Sequence, residues 1–396
     1  MNKVKYFNLY GSTGQIGSKS LQIIDRYFPS IKINLLVANT NYKKLLKQAI
    51  SYKPKFISIN DGSKIKHLKK NINNKETKII HSSELFHLIK SSKSDISILA
   101  ISGYKSLEYL TSIFHNTNTL GIVNKECIVS AGHLFHKINK TNKTKIFPLD
   151  SEHYSLKNFI SICNYDEFKK IYITASGGPF LKKSLKDFKN IKPKEAIKHP
   201  NWQMGKKISI DSSNMMNKVL EVIEAFKLFP FNPDKYKIII HPQSLVHAIV
   251  FFKNGQTKFL YHETDMLIPI ANAIYENKID IETLSGKKNS FPKNCQSLKF
   301  QEIDKKKFPI VTFLSKNILQ NSAPIILNAS NEVLVDSFIK GKITFNSIYL
   351  YLRAVFRDKD FGKYAIKKAP NVKEIYRIDK WARRKTIEKI NEKKNI

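Results

Sequence analysis

The stretch Gly11-Ser12-Thr13-Gly14-Gln15-Ile16-Gly17 lies between an apolar run, Lys3–Tyr10, and a helical pattern, Ser18–Tyr27. A buried strand that turns through glycines into a helix narrows the fold sharply. Glycines permit a tight turn and close backbone approach, and the new helix presents N–H groups that suit a pyrophosphate. The G-x-x-G-x-x-G spacing is a variant of the dinucleotide fingerprint, and an ordinary strand–helix turn is the rival reading.

The following segments extend the same pattern. Strand-like runs at Ile31–Ala38, Phe56–Ile59, Asp95–Ile101 and Leu120–Val123 alternate with helical stretches at Tyr42–Ile50, Ser106–His115 and Ile128–Ile138. The alternation predicts an α/β fold with an N-terminal Rossmann-like, doubly wound domain. After the second strand stands Asn39-Thr40-Asn41, where an NAD-selective site usually carries a carboxylate for the ribose 2′-hydroxyl. Its absence favours NADP, although neither Arg nor Lys stands immediately beside this run to clamp a 2′-phosphate.

Composition removes several alternatives. Of 396 residues, 42% are hydrophobic, enough to build cores in two or three domains and to argue against disorder. Apolar runs such as Ile96–Ile101 and Met266–Ile274 end well short of a membrane span. No targeting peptide is expected before the first strand. Cys127, Cys163 and Cys295 are odd in number and far apart, which fits a reducing, cytoplasmic compartment. The net charge of +36 suggests nucleic acid at first sight, yet 62 of the 68 basic residues are lysine and they are scattered. Base readout favours Arg, and no nucleic-acid-binding signature is present, so the lysines read as background composition that steers small anions.

Against that background, clustered carboxylates stand out. Asp150-Ser151-Glu152 follows Phe147-Pro148-Leu149, and continued strand geometry would point Asp150 and Glu152 to one side; capping of a helix from His153 is the rival. In the helical run Asn217–Glu224, Asn217, Glu221 and Glu224 share a face, with a solvated face as the plain reading of Glu224. Oxygen donors of this kind suit Mg²⁺ or Mn²⁺, and no HExxH or CxxC points to zinc. Thr174–Pro179, His199–Lys207 and Ile210–Asn214 supply hydroxyls, amides and loop N–H groups of the kind that bind a phosphate monoester. Trp202 and Met204, in a polar loop, read as a hydrophobic lid, and His199 as either a ligand or a solvated loop residue. His133 and His136 read as helix-surface residues.

Taken together, Gly11–Gly17, Val123–Glu126, Pro148–His153, Thr174–Phe180, His199–Lys207, Ile210–Ala225, Ile240–Ser244 and Leu327–Glu332 closely resemble the 1-deoxy-D-xylulose 5-phosphate reductoisomerase family, in order and over most of the chain. The resemblance implies NADPH- and metal-dependent isomerisation and reduction of that sugar phosphate. It assigns Thr13, Gly14, Gln15, Ile16, Asn41, Asn124, Glu126 and Gly205 to the cofactor. Asp150, Glu152 and Glu221 would hold one divalent cation and, with Lys125, form the catalytic group. Lys125, Ser151 and Glu152 would touch the carbonyl and hydroxyl end of the substrate, with Glu221 also adjoining it. Ser176, His199, Ser212, Asn217 and Lys218 would take its phosphate end, and Trp202 would pack over it from a flap near 193–207. Three positions depart from the family pattern: Asn39-Thr40-Asn41 softens NADP selectivity, Gln15 replaces a commoner Ser, and Val219 adds volume where Gly is usual.

The expected organisation is a cofactor domain at 1–149 and an α+β catalytic and dimerisation domain at 150–276. A linker at 277–307 and a C-terminal helical bundle at 308–396 complete it, in a homodimer without nucleic-acid or membrane partners. In the last helix, Ile375, Ile378, Trp381, Ile387 and Ile390 read as one core stripe. A semialdehyde-type dehydrogenase, with Cys127 as its nucleophile, and a basic nucleic-acid-binding protein are the alternatives.

Overall fold

The computed structural model describes residues 5–72, 76–101, 103, 106–161, 165–202, 204–275, 279–282, 297–315, 318–319 and 321–392. The chain divides into two compact units, one of residues 1–127, 135–154 and 265–292, the other of residues 128–134, 155–264 and 293–396.

The first unit is built on seven parallel strands: β1 (Lys5–Tyr10), β2 (Ile31–Ala38), β3 (Phe56–Ile59), β4 (Lys78–Ile80), β5 (Ser94–Leu99), β6 (Thr117–Ile122) and β7 (Lys145–Pro148). Their order across the sheet is β4-β3-β2-β1-β5-β6-β7. Both faces are covered, so strand residues such as Phe7, Leu9, Leu36, Ile57, Ile98 and Leu120 are fully buried and the strands read as nearly continuous apolar runs. One polar exception is satisfied internally: Asn34 Nδ2 donates to Asn8 Oδ1 at 2.8 Å, beside the register shift between β1 and β2. The connecting helices are α1 (Gln15–Tyr27), α2 (Tyr42–Tyr52), α3 (Ile65–Asn71), α4 (Ser82–Ser91), α5 (Leu107–His115) and α6 (Lys125–Asn142). Strand order reverses between β1 and β5, and such a switch point leaves a crevice at the strands' carboxyl ends.

The second unit carries a four-stranded sheet of β8 (Phe168–Ala175), β9 (Tyr236–Ile240), β10 (Val246–Phe252) and β11 (Thr257–Tyr261), in the order β11-β10-β8-β9. Its helices are α7 (Ser151–Ile160, which begins in the first unit), α8 (Pro193–Ala196), α9 (Lys206–Ser213) and α10 (Met216–Leu228). After α11 (Leu267–Tyr275) come α12 (Ala323–Ile339), α13 (Ser347–Phe356), α14 (Phe361–Tyr364) and α15 (Val372–Glu392). The C-terminal helices form the expected helical layer, and α12 and α13 share one core with α9 and α10 through Ile210, Leu220, Leu327 and Leu352. Phe180, Phe188, Phe308 and Phe345 interlock there edge to face.

Four local expectations differ from the structure. Residues 265–275, expected within 150–276, belong to the first unit: Tyr275 stacks on Phe28 with ring centres 4.7 Å apart, and Lys19 pairs with Asp265 at 3.5 Å. Of the expected 277–307 linker, residues 277–278 and 283–296 lie outside the described residues. Within 297–307 the chain is tethered at Gln301, which exchanges two backbone hydrogen bonds of 2.9 Å with Ile240. The helical bundle expected from 308 does not open on an α-helix: Pro309–Phe313 is a 3₁₀ turn. Ile375, Ile378, Trp381 and Ile390 are buried as expected, but Ile387 is 50% exposed, because 3.6-residue winding brings Thr386 inward in its place.

Candidate active site

In the first unit the glycine turn is built by close approach. Gly11 adopts φ +91, and a Cβ on it would stand 2.4 Å from the Ala100 carbonyl oxygen; a Cβ on Gly17 would stand 2.3 Å from that of Gly11. α1 begins at Gln15, earlier than periodicity predicts, with Gly14 as its N-cap and no side chain serving as cap. Gly14 and Gln15 are exposed and Thr13 and Ile16 half-buried, so the start of the helix is accessible. Asn41 caps α2, its Oδ1 accepting from Lys44 N–H at 3.1 Å. Lys43 and Lys44, in that first turn, are cations close to the 39–41 run that the sequence reading passed over.

Asn124 caps α6 by accepting from Cys127 N–H at 2.7 Å. Its amide donates to Ser106 Oγ at 2.7 Å and to the carbonyls of Gly103 and Ile101. These bonds engage the side chain, which therefore ties Ile101, Gly103 and Ser106 to the start of α6. Glu126 is half-buried in the first turn. Cys127 is fully buried, which removes it as the nucleophile of a semialdehyde dehydrogenase.

The acidic group of this unit is arranged by a helix start. The β7 ladder ends at Pro148 and α7 begins at Ser151, so the continued-strand geometry for Asp150 and Glu152 does not hold. Asp150 Oδ1 accepts instead from Glu152 N–H at 3.3 Å, as a helix cap does. Lys125 Nζ, nearly buried, meets Asp150 Oδ2 at 3.1 Å, and His153 Nδ1 stands 3.3 Å from Oδ1. Ser151 donates to Glu152 Oε2 at 2.5 Å. Thus Lys125, Asp150, Ser151 and Glu152 are brought together, with His153, fully buried, as a partner that the sequence reading missed.

In the second unit Ser176, His199, Ser212, Asn217, Lys218 and Glu221 are held by α9, α10 and the loops before them. Gly178, at φ +64, lets the 176–179 loop close on the end of α9; a Cβ there would lie 2.8 Å from Ser212 O. His199 Nδ1 accepts from the N–H groups of Asn201 and Trp202, at 3.2 and 3.0 Å. Nε2 therefore carries the proton and donates to Ser176 Oγ at 3.0 Å. Ser176 Oγ also accepts from Gly178 N–H at 3.1 Å, so its own proton is left to donate elsewhere. Burial first, and then the Lys218 ammonium, push the His199 pKa down to about 4. It is a neutral, built-in residue, which excludes the solvated-loop reading.

α10 is buried along nearly all its length, Lys218, Glu221 and Glu224 included. Glu224 therefore does not lie on a solvated face. Lys218 pairs with Glu221 Oε2, and Asn217 donates to Glu221 Oε1. Val219, the departure from the family pattern, is fully buried in the apolar core and disturbs none of these partners. Gly205 caps α9 without a side-chain bond. In the loop before it, Asn201 donates to Pro242 O and Ser244 Oγ at 2.7 and 2.9 Å, and Trp202 meets the His247 ring edge-on at 6.3 Å. These anchors of the expected flap went unread because they pair segments distant in sequence. His133 is half-buried, not on the surface: it contacts Ala369 O at 2.7 Å, and burial lowers its pKa. The side chain of His136 and the whole of Gln203 lie outside the described residues.

Comparisons with known proteins bear on the family. Three family models match: 1-deoxy-D-xylulose 5-phosphate reductoisomerase over residues 7–132, that enzyme's C-terminal domain over 146–229, and a DXP reductoisomerase C-terminal domain over 262–385. The chain is 40% identical over 381 residues to the 1-deoxy-D-xylulose 5-phosphate reductoisomerase of Pelagibacter ubique, covering 95% of this chain and 97% of that one. The chain belongs to the 1-deoxy-D-xylulose 5-phosphate reductoisomerase family. The relative from Thermodesulfovibrio yellowstonii is 33% identical, covering 97% and 99% of the two chains. A crystal structure of DOX-P reductoisomerase in complex with NADPH, fosmidomycin and magnesium superposes with a TM-score of 0.88 at 31% identity, covering 98% of each chain. The Zymomonas mobilis enzyme in complex with NADPH gives 0.87 at 28% identity, covering 98% and 99%.

Proposed function

We infer that this chain catalyses the NADPH- and divalent-metal-dependent isomerisation and reduction of 1-deoxy-D-xylulose 5-phosphate to 2-C-methyl-D-erythritol 4-phosphate, in the non-mevalonate isoprenoid pathway. The observation that carries this reading is the hydroxyl of Ser176, which accepts from His199 and Gly178 and keeps its proton for an anion. A neutral His199 holds that polarity, and Ser212, Asn217 and Lys218 complete a set suited to a phosphate monoester and its hydroxyls.

For the metal, the donor set fits. Asp150, Glu152 and Glu221 offer oxygen only, which suits Mg²⁺ or Mn²⁺. When bound, the cation supplies Lewis acidity toward the ketone and adjoining hydroxyl oxygens. Lys125, held by Asp150, orients and polarises the same oxygens, while Ser151 and Glu152 bind the hydroxyl end. The glycine turn fits the cofactor: Thr13 to Ile16 stand at an accessible helix start, the geometry that receives a pyrophosphate. Asn41, Glu126 and Gly205 complete the cofactor contacts, with Asn124 supporting the loop beneath them. Lys43 and Lys44 supply the charge for the NADPH 2′-phosphate. Trp202 covers the substrate and excludes water as its loop closes.

The functional division runs as cofactor segment 1–149 with 265–275 returning to it, catalytic segment 150–264 and helical cap 308–396. Among the described residues, no helix is long and apolar enough to cross a membrane. A cytoplasmic homodimer without nucleic-acid partners is the corresponding assembly. An aromatic patch on the four-stranded sheet supports pairing through it: Phe251 and Phe259 are 38% and 47% exposed, beside Tyr172.

The decisive assay is NADPH oxidation with deoxyxylulose phosphate, with and without Mg²⁺ or Mn²⁺. Turnover is expected only with substrate and metal together. Folded protein that shows none would overturn the reading. Light scattering at micromolar concentration tests the dimer.

A further inference from the structure

The second unit holds a cavity of about 530 Å³, lined by none of the residues assigned above. It lies between the end of α13, the turn that follows, and the last two turns of α15. That volume is within the range of small-molecule sites. Tyr351 and Ala354 form one wall, while Arg357, Lys359, Lys385 and Lys389 supply four cations. The carboxylates on the lining are Asp358 and Glu392.

The pairing of these charges leaves donors to spare. The Asp358 side chain, 7% exposed, is shared by Lys385 and Lys389, each 3.5 Å away. That distance exceeds a good charge-assisted hydrogen bond, so Asp358 alone saturates neither ammonium group. Their shorter contacts are Lys385 to Glu388 at 2.9 Å and Lys389 to Glu392, itself on the lining, at 3.1 Å. Arg357 and Lys359 are exposed and make no ion pair among the described residues. Arg357 and Lys359 are thus the two cations of the cavity whose donors are not taken up by ion pairs. A guanidinium with three ammonium groups around a partly apolar cavity matches a phosphoryl group carried on a small organic body.

We propose that this cavity is a second anion site, which binds a phosphorylated small molecule through Arg357, Lys359, Lys385 and Lys389, with its organic part against Tyr351. The rival role for these residues is to complement the negative end of the α13 dipole, which predicts stability without a ligand.

Inorganic pyrophosphate is the probe, titrated calorimetrically into the full-length protein at low salt. Two binding events are expected. The double substitution Arg357→Gln/Lys359→Gln should weaken one of them about tenfold or more, as loss of charge-assisted bonds does, and leave kcat and the other event unchanged. Ser176→Ala should weaken the other. Adding a methyl or isoprenyl group to the pyrophosphate should tighten the first event and leave it sensitive to Tyr351→Ala. A single event, lost in Ser176→Ala and untouched by the double substitution, would overturn the proposal. So would a double variant with lowered thermal stability and unaltered pyrophosphate binding.

Discussion

The glycine turn of the first unit and the serine–histidine cluster of the second are the two places proposed to receive phosphate oxygens, yet they are made of different material. The turn is built from backbone, and its requirement is that side chains be absent: Gly11 and Gly17 stand where no Cβ fits. The cluster is built from side chains whose donors are oriented by one another, from Asn201 and Trp202 N–H through His199 to Ser176. A backbone site should tolerate exchange of the side chains that point away from it and fail on one added methyl. A side-chain site should fail in steps, one per donor removed.

Those contrasting sensitivities can be broken experimentally. The largest effect is expected at neither phosphate site but at Glu221, the buried partner of Lys218 and Asn217. Glu221→Gln should lower kcat/KM on the order of 10²–10³-fold, the scale for removing electrostatic stabilisation, and raise the metal concentration needed for half-maximal activity. Unchanged metal dependence would remove Glu221 from the metal set. Next, Gly17→Ala should raise the KM for NADPH and destabilise the first unit by roughly 1–3 kcal/mol, the usual cost of overpacking. Denaturant unfolding and NADPH titration read these separately, and a silent Gly17→Ala would refute the steric account of the turn.

Ser176→Ala removes one hydrogen bond to a charged group, worth about 1.5–3 kcal/mol, and should raise the substrate KM with little change in the KM for NADPH. A smaller effect concerns pH. His199 has its folded pKa depressed to about 4 from 6.5, so its stabilising contribution is complete above pH 6.5 and declines as pH falls toward 4. Relative to His199→Gln, the wild-type chain should lose stability across that window, and parallel curves would contradict a buried neutral ring. The smallest change is Gln15→Ser, expected to alter stability by less than about 0.5 kcal/mol and to leave the KM for NADPH unchanged.

Sequence read the first site better than the second for the same reason. A strand, a glycine turn and a helix are contiguous, and their periods are local, so Gly11–Gly17 and Ile31–Ala38 were legible almost residue by residue. Family resemblance then carried the identity of the side chains around α10. Their environment was not legible, because α10 is buried nearly all round and periodicity cannot separate a solvated glutamate from an enclosed one; Glu224 shows this. For Asp150 the local pattern leaves a continued strand and a helix cap both open, and only the start of α7 at Ser151 decides between them. Asn201 and His133 find partners at Pro242 and Ala369, pairings that no local pattern encodes.

The return of α11 to the first unit also has a consequence for synthesis. Its apolar face packs with α1 and β6, but it leaves the ribosome only after β8 to β11 have been made. The nascent seven-stranded unit therefore waits with Phe28 and the adjoining surface of α1 uncovered, and its folding is completed out of chain order. That interval is when the chain most needs protection from aggregation.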